Sequence, residues 1–286
     1  VYPILFRLPD WVPILGGDPI TTFGVMMFLA FVTGGLVLRS ELERMKFEGE
    51  RAWDFVFMAV VGGLIGAKLY YVLLNADQLQ VQGISFVFSR GGMVWYGGFL
   101  LAAALVLFEV RRSPIPMRHV LDASAPALAL AYAVGRIGCF LVGDDYGRPT
   151  DSWVGIAFPN GAPPSTVANL QNQFGIEIDP ALIAKYGEVL PVHPTQLYEV
   201  GMSTLIFFVL WSLRGRGRPV GWIFALWLTL AGIERFIVEI YRAKDDRFFG
   251  VLTVAQMISL GLVVAGLWGL MRLRSAPGGD TAPARG

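Results

Sequence analysis

The chain is dominated by long apolar blocks, and these decide what it can fold into. Seven stretches, roughly 19–38, 55–74, 93–110, 120–141, 195–213, 219–241 and 251–271, each run for about 18–22 residues. At ~1.5 Å of rise per residue, a helical block of that length crosses ~30 Å of hydrocarbon. Inside lipid every backbone N–H and C=O must find a partner within the segment, so blocks like these fold as helices. The expected fold class is an all-α polytopic membrane protein with seven transmembrane helices. Composition agrees, with 55% apolar and 16% charged residues and a mean hydropathy of +0.56. A formal net charge of +1 offers no general attraction to nucleic acid, and none is expected as a partner. The single cysteine, Cys139, excludes an internal disulfide framework and a cysteine-rich zinc site, and no metal or cofactor is expected.

Lys and Arg in the loops set the orientation. One side holds thirteen cations, from the loop with Arg39, Arg44, Lys46 and Arg51 to the tail with Arg272, Arg274 and Arg285. The other holds seven, spread over longer loops: Arg7, Arg90, Arg148, Lys185, Arg242, Lys244 and Arg247. The amino terminus is thus expected outside and the carboxyl terminus in the cytoplasm. The first apolar block starts near Pro19 and is of full spanning length, so no cleavable signal peptide is expected. Residues 1–274 read as one transmembrane domain, and the Pro/Gly-rich 275–286 as a disordered tail. Residues 143–194, between the fourth and fifth spans, read as a small periplasmic cap too short for a core of its own. It contains a strand candidate at 153–158.

Three cations, Lys68, Arg136 and Arg235, fall inside spans. A cation at mid-bilayer costs about 2.5–3.5 kcal/mol on insertion scales, so each needs a partner or a function. Arg136 lies ~24 Å along the fourth span and Arg235 a similar distance along the sixth. Lys68 is also in the outer half of its span, so all three share a depth near the outer headgroups. Other polar residues reach that level: Tyr96 at the start of the third span, Asp144 and Asp145 after the fourth, and His193, Gln196, Tyr198 and Glu199 at the opening of the fifth. Glu234 and Glu239 flank Arg235, with Arg242 beyond.

Structural readings compete with functional ones at each position. Arg235 and Glu239, at i,i+4, also form a plain helical ion pair, and Arg242 could simply snorkel. Lys68 reads as support or as a further headgroup ligand, and His193, a lone histidine before a proline, as structural or chemical. His119 lies at the cytoplasmic end of the fourth span and reads as interfacial. Gly62, Gly63 and Gly66 read as close helix packing. Gly91, Gly92, Gly97 and Gly98 read either as packing or as a place where backbone approaches a bulky headgroup. Taken together, charges from several helices meeting at one depth favour a site. Guanidinium groups bind phosphate in a bidentate, charge-assisted way, so Arg136 and Arg235 point to a phospholipid substrate.

Four stretches also carry a family pattern. Gly135-Arg136-Ile137-Gly138-Cys139-Phe140, continuing to Gly147-Arg148-Pro149-Thr150, resembles the signature of bacterial prolipoprotein diacylglyceryl transferases. Arg90 through Gly98, His193-Pro194-Thr195-Gln196-Leu197-Tyr198-Glu199 and Arg235-Phe236-Ile237-Val238-Glu239 resemble further motifs of that family, in the same order. The resemblance implies transfer of the diacylglyceryl group of phosphatidylglycerol to the lipobox cysteine thiol of a prolipoprotein signal peptide. A thioether forms and glycerol phosphate leaves, the first step of lipoprotein maturation. It also implies that Arg136 binds the lipid, that Arg235 is the second essential arginine with Glu239 nearby, and that Asp144 and Gly147 match functional positions.

Three positions depart from the pattern. Tyr96 stands where the family has a histidine, Cys139 where an asparagine is common, and Phe23 where a tyrosine is usual. A phenol in place of the imidazole puts an imidazole-base mechanism in doubt, and Cys139 reads as a small buried residue in apolar surroundings. The residues expected at the catalytic centre are Tyr96, Arg136, Arg235, Glu239, Asp144 and His193. Lys68, Gly97, Gly98, Gly147, Gln196, Tyr198 and Glu199 are expected to join the two arginines in binding substrate. Two rival readings remain, a non-catalytic lipid-binding or lipid-moving relative and a transferase with a different acceptor.

Overall fold

The computed structural model describes all residues except 1, 8, 10, 12–16, 18, 88–91, 244–246, 249–251 and 275–286. Arg90, Gly91, Lys244 and the expected disordered tail therefore lie outside the described residues. The order of elements is β1 (Ile4–Arg7), β2 (Pro19–Thr21), α1 (Thr22–Arg44), α2 (Arg51–Leu74), α3 (Ala76–Gln82), α4 (Trp95–Arg112) and α5 (Met117–Val142). There follow β3 (Ile156–Ala157), α6 (Val167–Asn172), α7 (Pro180–Tyr186), β4 (Pro191–Val192), α8 (Thr195–Leu213), α9 (Trp222–Tyr241), β5 (Arg247–Phe248), β6 (Leu252–Thr253) and α10 (Val254–Arg274). The protein is mostly helical, as expected. Among the described residues five helices, α1, α2, α5, α8 and α10, are long and apolar enough to cross a membrane. The two other long helices each carry three charges: Glu109, Arg111 and Arg112 on α4, and Glu234, Arg235 and Glu239 on α9.

Two compact units make up the chain, Gly34–Ser124 and the remainder. In the first, α2 packs on α4 at backbone distance. A Cβ added to Gly62 would lie 2.6 Å from Ala102 Cα, and one on Gly98 would lie 2.8 Å from Gly63 O. Gly66 and Gly97 meet in the same way. These contacts with α2 favour the packing reading of Gly97 and Gly98. Helix pairs in lipid lack a hydrophobic drive, so small residues that let backbones close up carry the packing. Gly62→Leu should therefore destabilise the α2–α4 pair by about 1–3 kcal/mol or more, read as a lowered unfolding midpoint in detergent.

In the second unit, α8 packs on α9 and α9 on α10. Gly232 on α9 and Gly266 on α10 make the latter approach possible, a Cβ on Gly232 lying 2.8 Å from Ser259 O. At one end of α8, α9 and α10, three guanidiniums lie over indole rings: Arg214 on Trp211, Arg218 on Trp222 and Arg272 on Trp268. Paired Arg and Trp at helix ends suit a headgroup boundary.

The segment between α5 and α8 differs from expectation in two respects. The strand is confined to Ile156–Ala157, because a turn closes ahead of it, with Gly155 N–H donating to Ser152 O at 2.9 Å. The segment also builds a small core, in which Tyr146, Phe158, Leu170, Ile176, Leu190 and Val192 are buried together with Ala243. It reaches that density by stacking Tyr146 on Phe158 at 5.5 Å and by borrowing Phe140 from the end of α5. β3 pairs antiparallel with β4, Ile156 opposite Val192. The stretch following α5 bridges two neighbours, Gly147 pairing with Arg242 and Pro149 with Val192. The loop that carries Asp144 and Asp145 is thereby fixed between the start of α8 and the end of α9.

Candidate active site

Three helix ends and one loop supply a continuous chain of charges. On α5, Tyr132 and Arg136 are one turn apart and share a face. On α8, Thr195, Glu199 and Ser203 repeat every four residues, and all three are at most 1% exposed. On α9, Arg235, Glu239 and Arg242 follow the helix to its end. Tyr132 Oη donates to Glu199 Oε1 at 2.6 Å, and Glu199 Oε2 pairs with Arg136 Nη2. Arg136 Nη1 donates to Asp145 Oδ2 at 2.9 Å, and Asp145 Oδ1 accepts from Arg242 Nη2 at 2.8 Å. Arg242 Nε lies 4.0 Å from Glu239 Oε2, which pairs with Arg235 Nη2 at 2.7 Å. Arg136 and Arg235, on different helices, thus belong to one network. Ser203 Oγ donates to Glu234 at 2.6 Å alongside it.

The loop between α5 and β3 is held by its backbone. Thr195 Oγ1 donates to Asp145 O at 2.8 Å, and Gln196 Nε2 donates to Asp144 O. Gly147 N–H donates to His193 O at 2.8 Å, and Arg148 N–H to Tyr241 O at 2.8 Å. Asp145 has φ 55°, in the left-handed region, where aspartate is tolerated better than most residues. The Asp145 carboxylate lies between two guanidiniums.

The two neighbouring acids differ in charge state. Burial pushes the Asp144 carboxyl up to about 6, and the adjacent Asp145 carboxylate adds to the effect. Burial would also raise Asp145, but the Arg242 and Arg136 guanidiniums outweigh it and hold that group below the usual carboxylate range. A carboxyl raised in the folded state favours folding while protonated and loses that contribution as pH climbs from 3.8 through about 6. Asp145 does the reverse, stabilising above its unfolded value and losing that as pH falls. Asp144→Asn should therefore raise the unfolding midpoint at about pH 7.5 and leave it near wild type at about pH 4, measured by thermal denaturation in detergent.

Several polar atoms of the network lie buried without a hydrogen-bond partner among the described residues: Arg136 Nε, Arg235 Nη1, Asp144 Oδ1 and Gln196 Oε1. Two are guanidinium donors, and buried donors left open invite an anionic acceptor.

Other expected residues sit differently. Gln196 is fully buried, and its Nε2 donates to the loop backbone at Asp144 O. Gly147 is needed for packing, since a Cβ there would lie 2.8 Å from His193 Cβ. His193 and Tyr198 form a pair, Nδ1 to Oη at 3.0 Å, with Tyr241 edge-on to the imidazole at 5.1 Å. Burial lowers the His193 pKa from its ordinary value. These three aromatics line one end of a groove of about 570 Å³ that continues along Leu197, Gly201, Met202 and Leu205. Cys139 is buried as expected, but its surroundings are not purely apolar: its sulfur lies 3.3 Å from Arg136 Nη1. Cys139 Sγ and the Asp144 and Asp145 carboxylates lie within 4.8 Å of one another. Asp145 in that trio already answers two guanidiniums.

Tyr96 and Lys68 belong to the Gly34–Ser124 unit, as do Gly97 and Gly98. Tyr96 is 55% exposed and meets the Trp95 ring edge-on at 5.3 Å. Lys68 Nζ lies over the Tyr71 and Phe86 rings at 5.4 and 5.9 Å, which favours its supporting role. His119 meets Phe47 edge-on at 5.1 Å.

The family model for prolipoprotein diacylglyceryl transferase matches residues 9–272. The chain belongs to that family. Named phosphatidylglycerol–prolipoprotein diacylglyceryl transferases align along nearly their whole length. The one from Paraburkholderia xenovorans is 31% identical, covering 94% of this chain and 96% of the relative. Those from Burkholderia ambifaria and Burkholderia multivorans are each 33% identical, covering 92% and 94% of this chain and 96% and 97% of their own. The resemblance read from the four motifs is borne out, and the prolipoprotein diacylglyceryl transferases are enzymes of the transferase class.

Sequence reasoning placed Asp145 at the level of the site and Thr195 in a family motif without giving either a role, and it passed over Tyr132 and Ser203. Tyr132 was findable, since it stands four residues before Arg136 in an apolar helix. So was the polar stripe at 195, 199 and 203.

Proposed function

We propose that this protein transfers the diacylglyceryl group from phosphatidylglycerol to the lipobox cysteine of a prolipoprotein. The cysteine sulfur attacks the glyceryl carbon that bears the phosphate ester. A C–S bond forms, the C–O bond breaks, and glycerol phosphate departs with the electron pair. The observation that carries the reading is the charge chain from Arg136 to Arg235 with an unpartnered buried donor at each end. Guanidiniums preorganised around a departing phosphate stabilise the charge that develops there. The thiol proton needs a base, and Asp144, raised to about 6, is ionised at neutral pH while still basic enough to accept it. On its motif alone, Tyr96 takes the hydrogen-bonding role of the family histidine.

The setting follows the same reading. All seven long helices cross the membrane, α9 with Arg235 paired to Glu239 and Glu234 accepting from Ser203, and α4 with its charges at one end. The segment between α5 and α8 caps the periplasmic face of a bacterial inner membrane, with the amino terminus on that side. Loop Lys and Arg counts support this orientation, as do the Arg-over-Trp pairs at the opposite ends of α8, α9 and α10.

The test uses purified protein, phosphatidylglycerol and a lipobox peptide, with release of glycerol phosphate as readout. Release that requires both substrates is expected. A lipid carrier releases none, and release without a thioether on the peptide would indicate a different acceptor. The rate should rise with pH through about 6, and Asp144→Asn should lower it by about 10²-fold and flatten that limb.

A further inference from the structure

The guanidiniums of the network are already answered before any lipid arrives. Arg136, Arg242 and Arg235 are ion-paired with Glu199, Asp145 and Glu239, and the Asp144 carboxylate adds a further negative charge within 4.8 Å of Asp145. An anionic phosphodiester entering a set already neutralised meets as much repulsion as attraction unless one carboxylate gives way.

The three carboxylates are not equally able to move. Glu199 and Glu239 side chains are 1% and 3% exposed, and Glu199 is further held by the Tyr132 hydroxyl. Asp145 is 42% exposed and stands on a loop. Its two oxygens span two guanidiniums, 2.9 Å to Arg136 and 2.8 Å to Arg242. Two oxygens of one anion bridging two guanidiniums is also the arrangement that the non-bridging oxygens of a phosphodiester would adopt. The loop itself has no need to move, since Thr195 fixes the Asp145 carbonyl and the Gly147 and Arg148 amides are bonded on either side. Rotation of a single side chain would vacate the place.

We infer that Asp145 is a built-in stand-in for the lipid phosphate. It holds Arg136 and Arg242 in phosphate-receiving positions and is displaced by the headgroup, so that Arg242 joins the grip on the substrate. The inference rests on the proposed phosphate-binding role of this site. Asp145 is on this account a positioning residue whose charge sets how strongly the lipid must compete.

Asp145→Asn removes the charge and keeps both the size and the tolerance for left-handed backbone. The protein is reconstituted with phosphatidylglycerol at varied mole fraction and assayed with a lipobox peptide. Binding of free glycerol phosphate is measured in parallel without turnover. The expected result is a KM for phosphatidylglycerol lowered about tenfold, with kcat unchanged or reduced, and a matching rise in glycerol phosphate affinity, the order expected from removing one competing charge. Arg242→Gln should shift both in the opposite direction. Asp145→Gly, which also relieves the positive φ, serves as the second variant should the asparagine form fold poorly. An unchanged or raised KM together with unchanged glycerol phosphate affinity in both Asp145 variants would overturn the inference. Wild-type protein that transfers nothing would instead refute the transferase reading, and the glycerol phosphate titration would still decide the role of Asp145.

Discussion

Arg136→Gln is expected to reduce diacylglyceryl transfer by about 10²–10³-fold or more, the scale of losing a preorganised donor to a developing anion. The same substitution strands Glu199, which is 1% exposed, and removes one of the two cations holding Asp145. Breaking a buried pair from one side costs about 3–5 kcal/mol, so the variant should also unfold earlier in detergent. Two companions separate the effects. Arg136→Lys keeps the charge but loses the planar fork, and should fold near wild type while remaining strongly impaired. The double variant Arg136→Gln with Glu199→Gln removes both charges, and should recover much of the lost stability without recovering transfer. A double variant as unstable as the single one would mean that the pair is not coupled as the geometry indicates.

Glu199→Ala carries the second large effect. Glu199 accepts from Tyr132 at 2.6 Å, pairs with Arg136 and is itself 1% exposed. Truncation leaves the buried Arg136 guanidinium without one of its acceptors and the Tyr132 hydroxyl without its partner. The expected loss is about 3–5 kcal/mol, read as a lowered denaturant midpoint in mixed micelles. Transfer should fall as well, because Arg136 then turns toward Asp145 and away from the position that both carboxylates define. Tyr132→Phe removes only one neutral hydrogen bond to a charged acceptor and should cost about 1.5–3 kcal/mol. A Glu199→Ala protein as stable as wild type would remove the electrostatic basis for placing Arg136.

Much of this site is legible in the chain because lipid makes charges conspicuous. Arg136 and Arg235 stand out in apolar helices, and a rise of ~1.5 Å per residue brings them to one depth. The structure links them through Arg242, Asp145 and Glu239. Glu199 and Asp144 also stand out, yet their roles do not follow from position. Which of two adjacent acids faces the arginine depends on a backbone twist at Asp145 that no periodicity encodes. Gln196 was visible, but whether its amide meets substrate or the loop backbone is a matter of tertiary contact.

Glycines show the same limit. Gly97 and Gly98 suit either a headgroup or a neighbouring helix, and only tertiary structure reveals their close contacts with α2. The segment between α5 and α8 looked too short for a core because its own residues were weighed alone, whereas Phe140 and Ala243 complete the cluster. Short strands are hard to bound when a turn such as 152–155 consumes half of an extended-looking run.

A structure of the protein with phosphatidylglycerol bound tests the central claim most directly. The account predicts one lipid phosphate within hydrogen-bonding reach of both Arg136 and Arg235, with the Asp145 carboxylate turned away. A bound lipid whose phosphate touches neither arginine, or only one of them while Asp145 still bridges Arg136 and Arg242, would contradict it.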